Sequence, residues 1–273
     1  MYIATKTAAT TPEDFWKDLE TSLEKLQTDY IDVYQFHCVG QCYKPGDGTG
    51  MYECMLEAKK QGKIRHIGVT AHKIGIAYEC VESGLYETMQ FPFSYLSGPQ
   101  EIKLVQMCQE ANMGFVCMKG LAGGLISNSR AAMAYMCQYP DILPIWGIQK
   151  EKELEEWLSY MSDTPCMDEE TAAFIAKEQE ELSGDFCRGC GYCMPCPQGI
   201  TINQCARMSL MLRRALSEAW LNAYWQKEMA KIETCLHCNA CKAKCPYELD
   251  TPALLQKNLE DYKNVLAGKT KVQ

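Results

Sequence analysis

The stretch Ile31-Asp-Val-Tyr-Gln-Phe-His37 decides the fold of the first half of the chain. It is short and rich in apolar residues, so it reads as a buried strand. A helix precedes it. Thr11 supplies a cap, Pro12 takes the first helical position, and Glu13 and Asp14 fill the first turn. Phe15, Leu19, Leu23 and Leu26 then place one apolar stripe along that helix. Tyr2-Ile-Ala-Thr5 reads as a strand before the helix, and a glycine-rich loop from Gly40 to Gly50 follows the second strand, leading into a helix closed by Gly62. Further outward the alternation continues. Strands are predicted over 64–69, 88–91, 115–118 and 142–146, and helices over 74–81, 100–111 and 152–161. Six strand–helix units in succession predict a parallel α/β sheet or barrel.

Two cysteine runs decide the other half. The first is Cys187-Arg-Gly-Cys190-Gly-Tyr-Cys193-Met-Pro-Cys196-Pro197, and the second is Cys235-Leu-His-Cys238-Asn-Ala-Cys241-Lys-Ala-Lys-Cys245-Pro246. Three thiolates spaced two residues apart can wrap one face of a cubane. The fourth, followed by proline, ligates the other cluster where two clusters share the motif. One [4Fe–4S] cluster is therefore assigned to Cys187, Cys190, Cys193 and Cys245, and a second to Cys235, Cys238, Cys241 and Cys196. Zinc is the alternative, although a third cysteine at the same short spacing is surplus to a tetrahedral site built from paired C-x-x-C hooks. A disulfide framework is the weaker alternative, because no secretory segment is read. Residues 187–273 are thus expected to form a helical, ferredoxin-like two-cluster domain. The 34 residues between the runs at 200–233, rich in Leu, Met, Ala and Trp, are expected to pack as two helices around the clusters. Residues 166–186 read as an acidic helical linker with a solvated face.

Composition narrows the function classes. The opening Met-Tyr-Ile-Ala-Thr-Lys has neither a basic n-region nor an apolar h-region, and no apolar run reaches membrane-spanning length. Seventeen cysteines with no export signal point to a reducing cytoplasm and fit an anaerobe. Those outside the two runs read as small core hydrophobes. A net charge of −8 argues against nucleic acid as a partner. No membrane partner is expected.

In the first half, Lys6 ends the first strand and His37 the second, and catalytic groups of (β/α) barrels sit at the C-terminal strand ends. A solvated lysine and a core histidine are the structural alternatives. Tyr2-Ile-Ala-Thr-Lys6-Thr, Ile31 to His37, Ile67-Gly68-Val69-Thr70 and Met89-Gln90-Phe91-Pro92 occur in the order seen in aldo/keto reductases. Lys119-Gly120-Leu121-Ala122-Gly123-Gly124 follows where that family has its seventh strand and loop. Residues 1 to about 160 resemble that family, and the whole chain resembles its branch with a C-terminal two-cluster ferredoxin domain. The resemblance implies a (β/α)8 TIM barrel over 1–165 and NAD(P)H-dependent reduction of a small carbonyl substrate. It implies catalytic roles for Lys6 and His37 and contact of Gln90 with the nicotinamide amide; Tyr95 lies shortly after that strand. It also implies cofactor binding at Gly120, Leu121, Gly123 and Gly124 and, through a weaker match, at Gly147 and Lys150.

The chain departs from the family at its start. The tetrad aspartate and tyrosine belong on and just after two earlier strands, and this sequence begins at the family's third. The expectation is a partial barrel of six strand–helix units, with three alternatives for the gap: a misplaced start or a truncated protein, closure by self-association or a partner protein, or capping by the helices of 200–267. Two functions follow. One is an iron–sulfur oxidoreductase passing electrons between two [4Fe–4S] clusters and a nicotinamide or carbonyl substrate. The other is an electron-transfer subunit whose catalytically incomplete barrel is a scaffold for a redox partner.

Overall fold

The computed structural model describes residues 1–182, 186–214 and 217–272. In the first half, β1 (Ala4–Thr7), α1 (Pro12–Leu26), β2 (Ile31–Phe36), α2 (Met51–Lys60), β3 (Ile64–Thr70), α3 (Ile74–Glu82), β4 (Thr88–Pro92), α4 (Pro99–Glu110), β5 (Gly114–Met118), α5 (Ser129–Met136), β6 (Ile142–Pro144) and α6 (Glu151–Ser159) alternate along the chain. The six strands form one parallel sheet in sequence order, β1-β2-β3-β4-β5-β6. This is a partial α/β barrel, in which β1 and β6 each pair on one side only among the described residues.

Alternation of side chains along each strand separates two faces. Tyr34, Phe36, Ile67, Val69, Met89, Phe91, Phe115 and Cys117 are all buried and form the apolar layer on one face. Phe15 of α1 meets Tyr34 edge-on at 5.7 Å, and Tyr52 of α2 meets Tyr86 at 5.7 Å. The opposite, concave face is polar. It carries Gln35, Thr70 and Gln90, which are buried despite their polarity. Their register brings Lys6 beside Gln35 and Gln90 beside both Thr70 and Val116. Gly68 sits among them because a Cβ there would lie 2.2 Å from Thr88 Oγ1 and 2.9 Å from Gln35 Cγ.

The strands differ in detail from the sequence expectation. β1 is shifted to include Lys6 and Thr7, where Thr7 Oγ1 donates to Asp18 of α1 at 2.6 Å. β6 stops at Pro144, which has no N–H to offer a ladder, although Ile145 N still donates to Cys117 O at 2.8 Å. The α1 cap is as read, with Thr11 accepting from Asp14 N.

Two compact units divide the chain: Met1–Gly120 with Tyr135–Glu151, and Leu121–Ala134 with Lys152–Gln273. The second holds α7 (Glu169–Glu181), α8 (Ile202–Cys205), α9 (Met208–Arg214), α10 (Ala223–Ala230), α11 (Ala240–Ala243) and α12 (Thr251–Leu266). The range 166–186 takes in residues 183–185, and the range 187–273 takes in 215–216 and 273; these lie outside the described residues. Helix α7 has more than a solvated face, since Ile175 and Glu178 are buried and Glu178 pairs with Arg214 of α9. Residues 200–233 do not form the two helices expected. They break into three short helices and two 3-10 turns, and Asn222 starts a new helix by accepting from Trp225 N at 3.1 Å. Their core joins Ile200, Ile202, Met208, Leu212, Met229 and Ile232 to Leu255, Leu259 and Tyr262 of α12. Buried Asn258 ties this core together, accepting from Ser209 N at 2.8 Å and donating to Ala206 O at 3.1 Å. Among the described residues no helix is long and apolar enough to cross a membrane.

Candidate cluster sites and barrel mouth

In the second unit the two cysteine runs come together around two cavities. One is lined by Cys187, Cys190, Cys193 and Cys245, with Arg188, Tyr247 and Leu254 among its walls. The other is lined by Cys196, Cys235, Cys238 and Cys241, with Cys193 again at its edge and Pro195, Ile200, Leu236 and Pro252 around it. Each cavity therefore takes donors from both runs. They hold about 350 and 440 Å3 of space, part of it open to solvent. Neither lining contains a carboxylate or an imidazole. Among the described residues no three His, Cys, Asp or Glu side chains, these thiols included, converge on a point that would hold a single ion. Thiols spread around a cavity with apolar walls suit a multi-iron cluster, whose ligand set is all thiolate.

The electrostatics of these thiols carry a cost. Burial, reinforced by Cys187 and Cys190, pushes the Cys193 thiol up to about 12, and burial also raises Cys187 and Cys241. Bare thiolates are disfavoured here, so iron would bind with release of protons. Tyr247 is raised by burial beside Cys190, and its ring lies 4.4 Å beneath the Arg188 guanidinium.

In the first unit, the C-terminal strand ends bring a second set of polar groups together. Lys6 of β1 and His37, just after β2, lie on the concave face, and His37 N donates to Thr7 O at 2.8 Å. Burial lowers the Lys6 ammonium; burial and then the Lys6 charge lower His37. The two side chains therefore share one electrostatic site. His72, which follows β3, belongs to it as well. Burial pulls His72 down to about 4, helped by Lys119 and His37. Its Nδ1 lies 3.4 Å from Cys38 Sγ, and Cys38 N donates to Thr70 Oγ1 at 2.7 Å. Both Cys38 and Lys119 adopt left-handed backbone, with φ of 51° and 60°. Such strain is concentrated at functional sites.

Sequence reasoning missed His72, Cys38, Lys119 and Gln35. A histidine two residues beyond a strand end was the available signal for His72, the same that marked His37. Gln90 is buried and donates to Met118 Sδ at 3.4 Å, a weak partner for an amide. Tyr95 is fully buried, edge-on to Tyr135 at 6.2 Å. Gly120 is held against the Trp146 indole, where a Cβ would lie 2.5 Å from the ring. Leu121, Gly123 and Gly124 belong to a tight turn of the second unit, in which Gly124 N donates to Leu121 O at 2.8 Å. Gly147 and Lys150 are exposed on the segment between β6 and α6.

The family model for aldo/keto reductases matches residues 1–138, and a 4Fe-4S dicluster domain matches residues 186–250. The chain belongs to the aldo/keto reductase family. NADH-specific methylglyoxal reductase of Escherichia coli is 28% identical over 120 residues, covering 43% of this chain and 36% of that protein. Aldo-keto reductase YhdN of Bacillus subtilis is 30% identical over 112 residues, covering 41% of this chain and 33% of that protein. The chain thus spans about a third of the length of the curated relatives it matches. The fold is similar to that of aldo-keto reductase AKR11C1 from Bacillus halodurans in its holo form, with a TM-score of 0.55 at 21% identity, covering 65% of this chain and 72% of that one.

The effect of the Lys6 charge on His37 makes a direct prediction. Replacing Lys6 by Met keeps the apolar stem and removes the charge. The positive neighbour now disfavours imidazolium, so the His37 pKa is expected to rise. It stays below its ordinary value because burial persists. Proton NMR of the four histidines reads this directly. An unchanged His37 titration would show that the two groups do not share a site.

Proposed function

We propose that this chain is an iron–sulfur oxidoreductase of the aldo/keto reductase type. In this proposal electrons pass between two [4Fe–4S] clusters and a nicotinamide or small carbonyl substrate at the strand ends. The observation that carries the proposal is the all-thiol lining of two neighbouring cavities, each drawing on both cysteine runs. Bound clusters would supply one-electron chemistry at potentials set by their surroundings. Cys187, Cys190, Cys193 and Cys245 would hold one, and Cys235, Cys238, Cys241 and Cys196 the other.

The chain's own residues at the barrel mouth have definable roles. Lys6 would supply positive charge beside a polarised carbonyl oxygen. Burial lowers its pKa from the ordinary lysine value. His37 and His72 are kept neutral by burial and by neighbouring cations, so each can orient a substrate through one N–H and one lone pair. Gln90, whose amide among the described residues donates to a thioether, is suited to recognise a carboxamide such as that of NAD(P)H. Gly120, Leu121, Gly123 and Gly124 are proposed to line the same cofactor, with Gly147 and Lys150 assigned to it on the resemblance alone. A reducing, cytoplasmic setting fits the free cysteines, many of them buried thiols in the barrel core.

We also propose that a second copy or a redox partner protein covers the open strand edges. Leu143, Ile145 and Ile148 are exposed at the β6 edge, where Leu143 keeps 62% of its surface in solvent. An apolar, unpaired edge is an association hazard unless covered.

Two measurements on one anaerobic preparation test these proposals. The chain is expected to carry about eight iron and about eight acid-labile sulfide, the content of two cubanes. One or two equivalents of zinc in place of iron would contradict the cluster proposal. By light scattering the particle is expected to exceed the 30.9 kDa of a single chain. A stable monomer would remove the proposed partner at the edge.

A further inference from the structure

Arg207 is a buried cation without a carboxylate. Its side chain keeps 8% of its surface in solvent, and among the described residues it makes no ion pair. Its polar contacts are neutral. Nη1 donates to Gly123 O at 2.5 Å, and Nε and Nη2 donate to Gln204 Oε1 at 3.3 and 3.0 Å. A buried charge is costly unless an opposite charge faces it. The titratable group that acts on Arg207 is Cys187, which favours its charged form against burial. The reverse holds too, since Arg207 favours the Cys187 thiolate.

The backbone has been shaped around this guanidinium from two sides. A Cβ at Gly189, between Cys187 and Cys190, would lie 2.8 Å from Arg207 Nη1 and 2.9 Å from its Cζ. A Cβ at Gly123 would lie 3.0 Å from Nη1 and 2.6 Å from Arg188 O. Both glycines have positive φ, 67° and 70°. The cysteine loop and the 121–126 turn thus close on one cation. Seven residues on, two helical turns along the same face, Arg214 of α9 donates to Leu125 O at 2.7 Å and pairs with buried Glu178. One short segment therefore grips the turn at two of its carbonyls, Gly123 O and Leu125 O, but only the Arg207 end acts on a proposed cluster ligand.

We propose that Arg207 is a positioning residue: it is the counter-charge of the cluster at Cys187, and it makes the order of the 121–126 turn depend on the charge of that cluster. The inference rests on the cluster assignment made above. A thiolate-ligated cluster supplies the missing negative partner, and reduction adds to it. The turn follows Lys119, which acts on His72, by only a few residues of chain. Reduction of the cluster bound at Cys187 would thereby tighten the guanidinium that holds Gly123, and its oxidation would loosen it. Arg188 lines the first cavity and Arg207 acts on its Cys187 from outside that lining, whereas the second cavity, lined by Cys196, Cys235, Cys238 and Cys241, has no arginine or lysine among its lining residues.

The test uses the full anaerobic chain, with iron content measured first in every variant. Redox titration followed by EPR is expected to move one cluster of Arg207→Gln to more negative potential, because the reduced form loses its counter-charge. The other cluster should be unmoved. Hydrogen exchange of 121–126 is expected to quicken in this variant and to lose its dependence on redox state. Arg207→Lys keeps the charge but not the fork, so its potential should remain near that of the wild type while exchange of the turn still quickens. Arg207→Gln with full iron, unshifted potentials and unchanged exchange would overturn the inference alone. A wild-type chain without iron would overturn the cluster assignment and this inference with it.

Discussion

The meeting of two distant cysteine runs around two shared cavities is the constraint on which the second unit depends. Cys245 stands at the wall of the cavity that Cys187, Cys190 and Cys193 surround, and Cys196 at that of Cys235, Cys238 and Cys241. The segment between the runs is thereby closed at both ends. Its short helices need not be stable alone, and helices of four to eight residues are not. They are held by a small core against α12 and by buried polar ties such as Asn258 and the pair of Glu228 with Lys231. The raised thiols mark the other side of the same constraint. Without an opposing charge the buried sulfurs favour protonation.

The barrel follows a different logic. Its helix-facing layer is apolar and closely packed, whereas its concave layer gathers Gln35, Thr70 and Gln90 beneath a rim of Lys6, His37 and His72. Burial depresses the Lys6 ammonium, and burial together with neighbouring like charge depresses His37 and His72. A rim whose imidazoles stay neutral at ordinary pH is suited to hydrogen bonding rather than to holding positive charge.

Much of the architecture was legible in the sequence, because local signals and tertiary packing agree there. Thr11 and Pro12 start α1 as their chemistry requires, and the glycines at 62 and 84 close the helices before them with positive φ. The cysteine spacing alone named the thiols that the structure gathers. Other features were not legible. Gln35 lies in a strand buried on both faces, so no alternation exposed its polar side. The helices of 200–233 were read as longer because their Leu, Met and Trp residues fit one apolar stripe, while Asn222 caps a new start within it. Arg207 acts on Gly123 across 84 residues of sequence, and no local pattern announces a contact of that range.

Anomalous scattering from iron in crystals of the anaerobic, cluster-loaded chain tests the central claim most directly. The account predicts two four-iron centres, about eight iron sites in all. One would be bound by the sulfurs of Cys187, Cys190, Cys193 and Cys245, the other by those of Cys196, Cys235, Cys238 and Cys241. A map in which each run closes its own centre, with Cys196 on the first and Cys245 on the second, would contradict it.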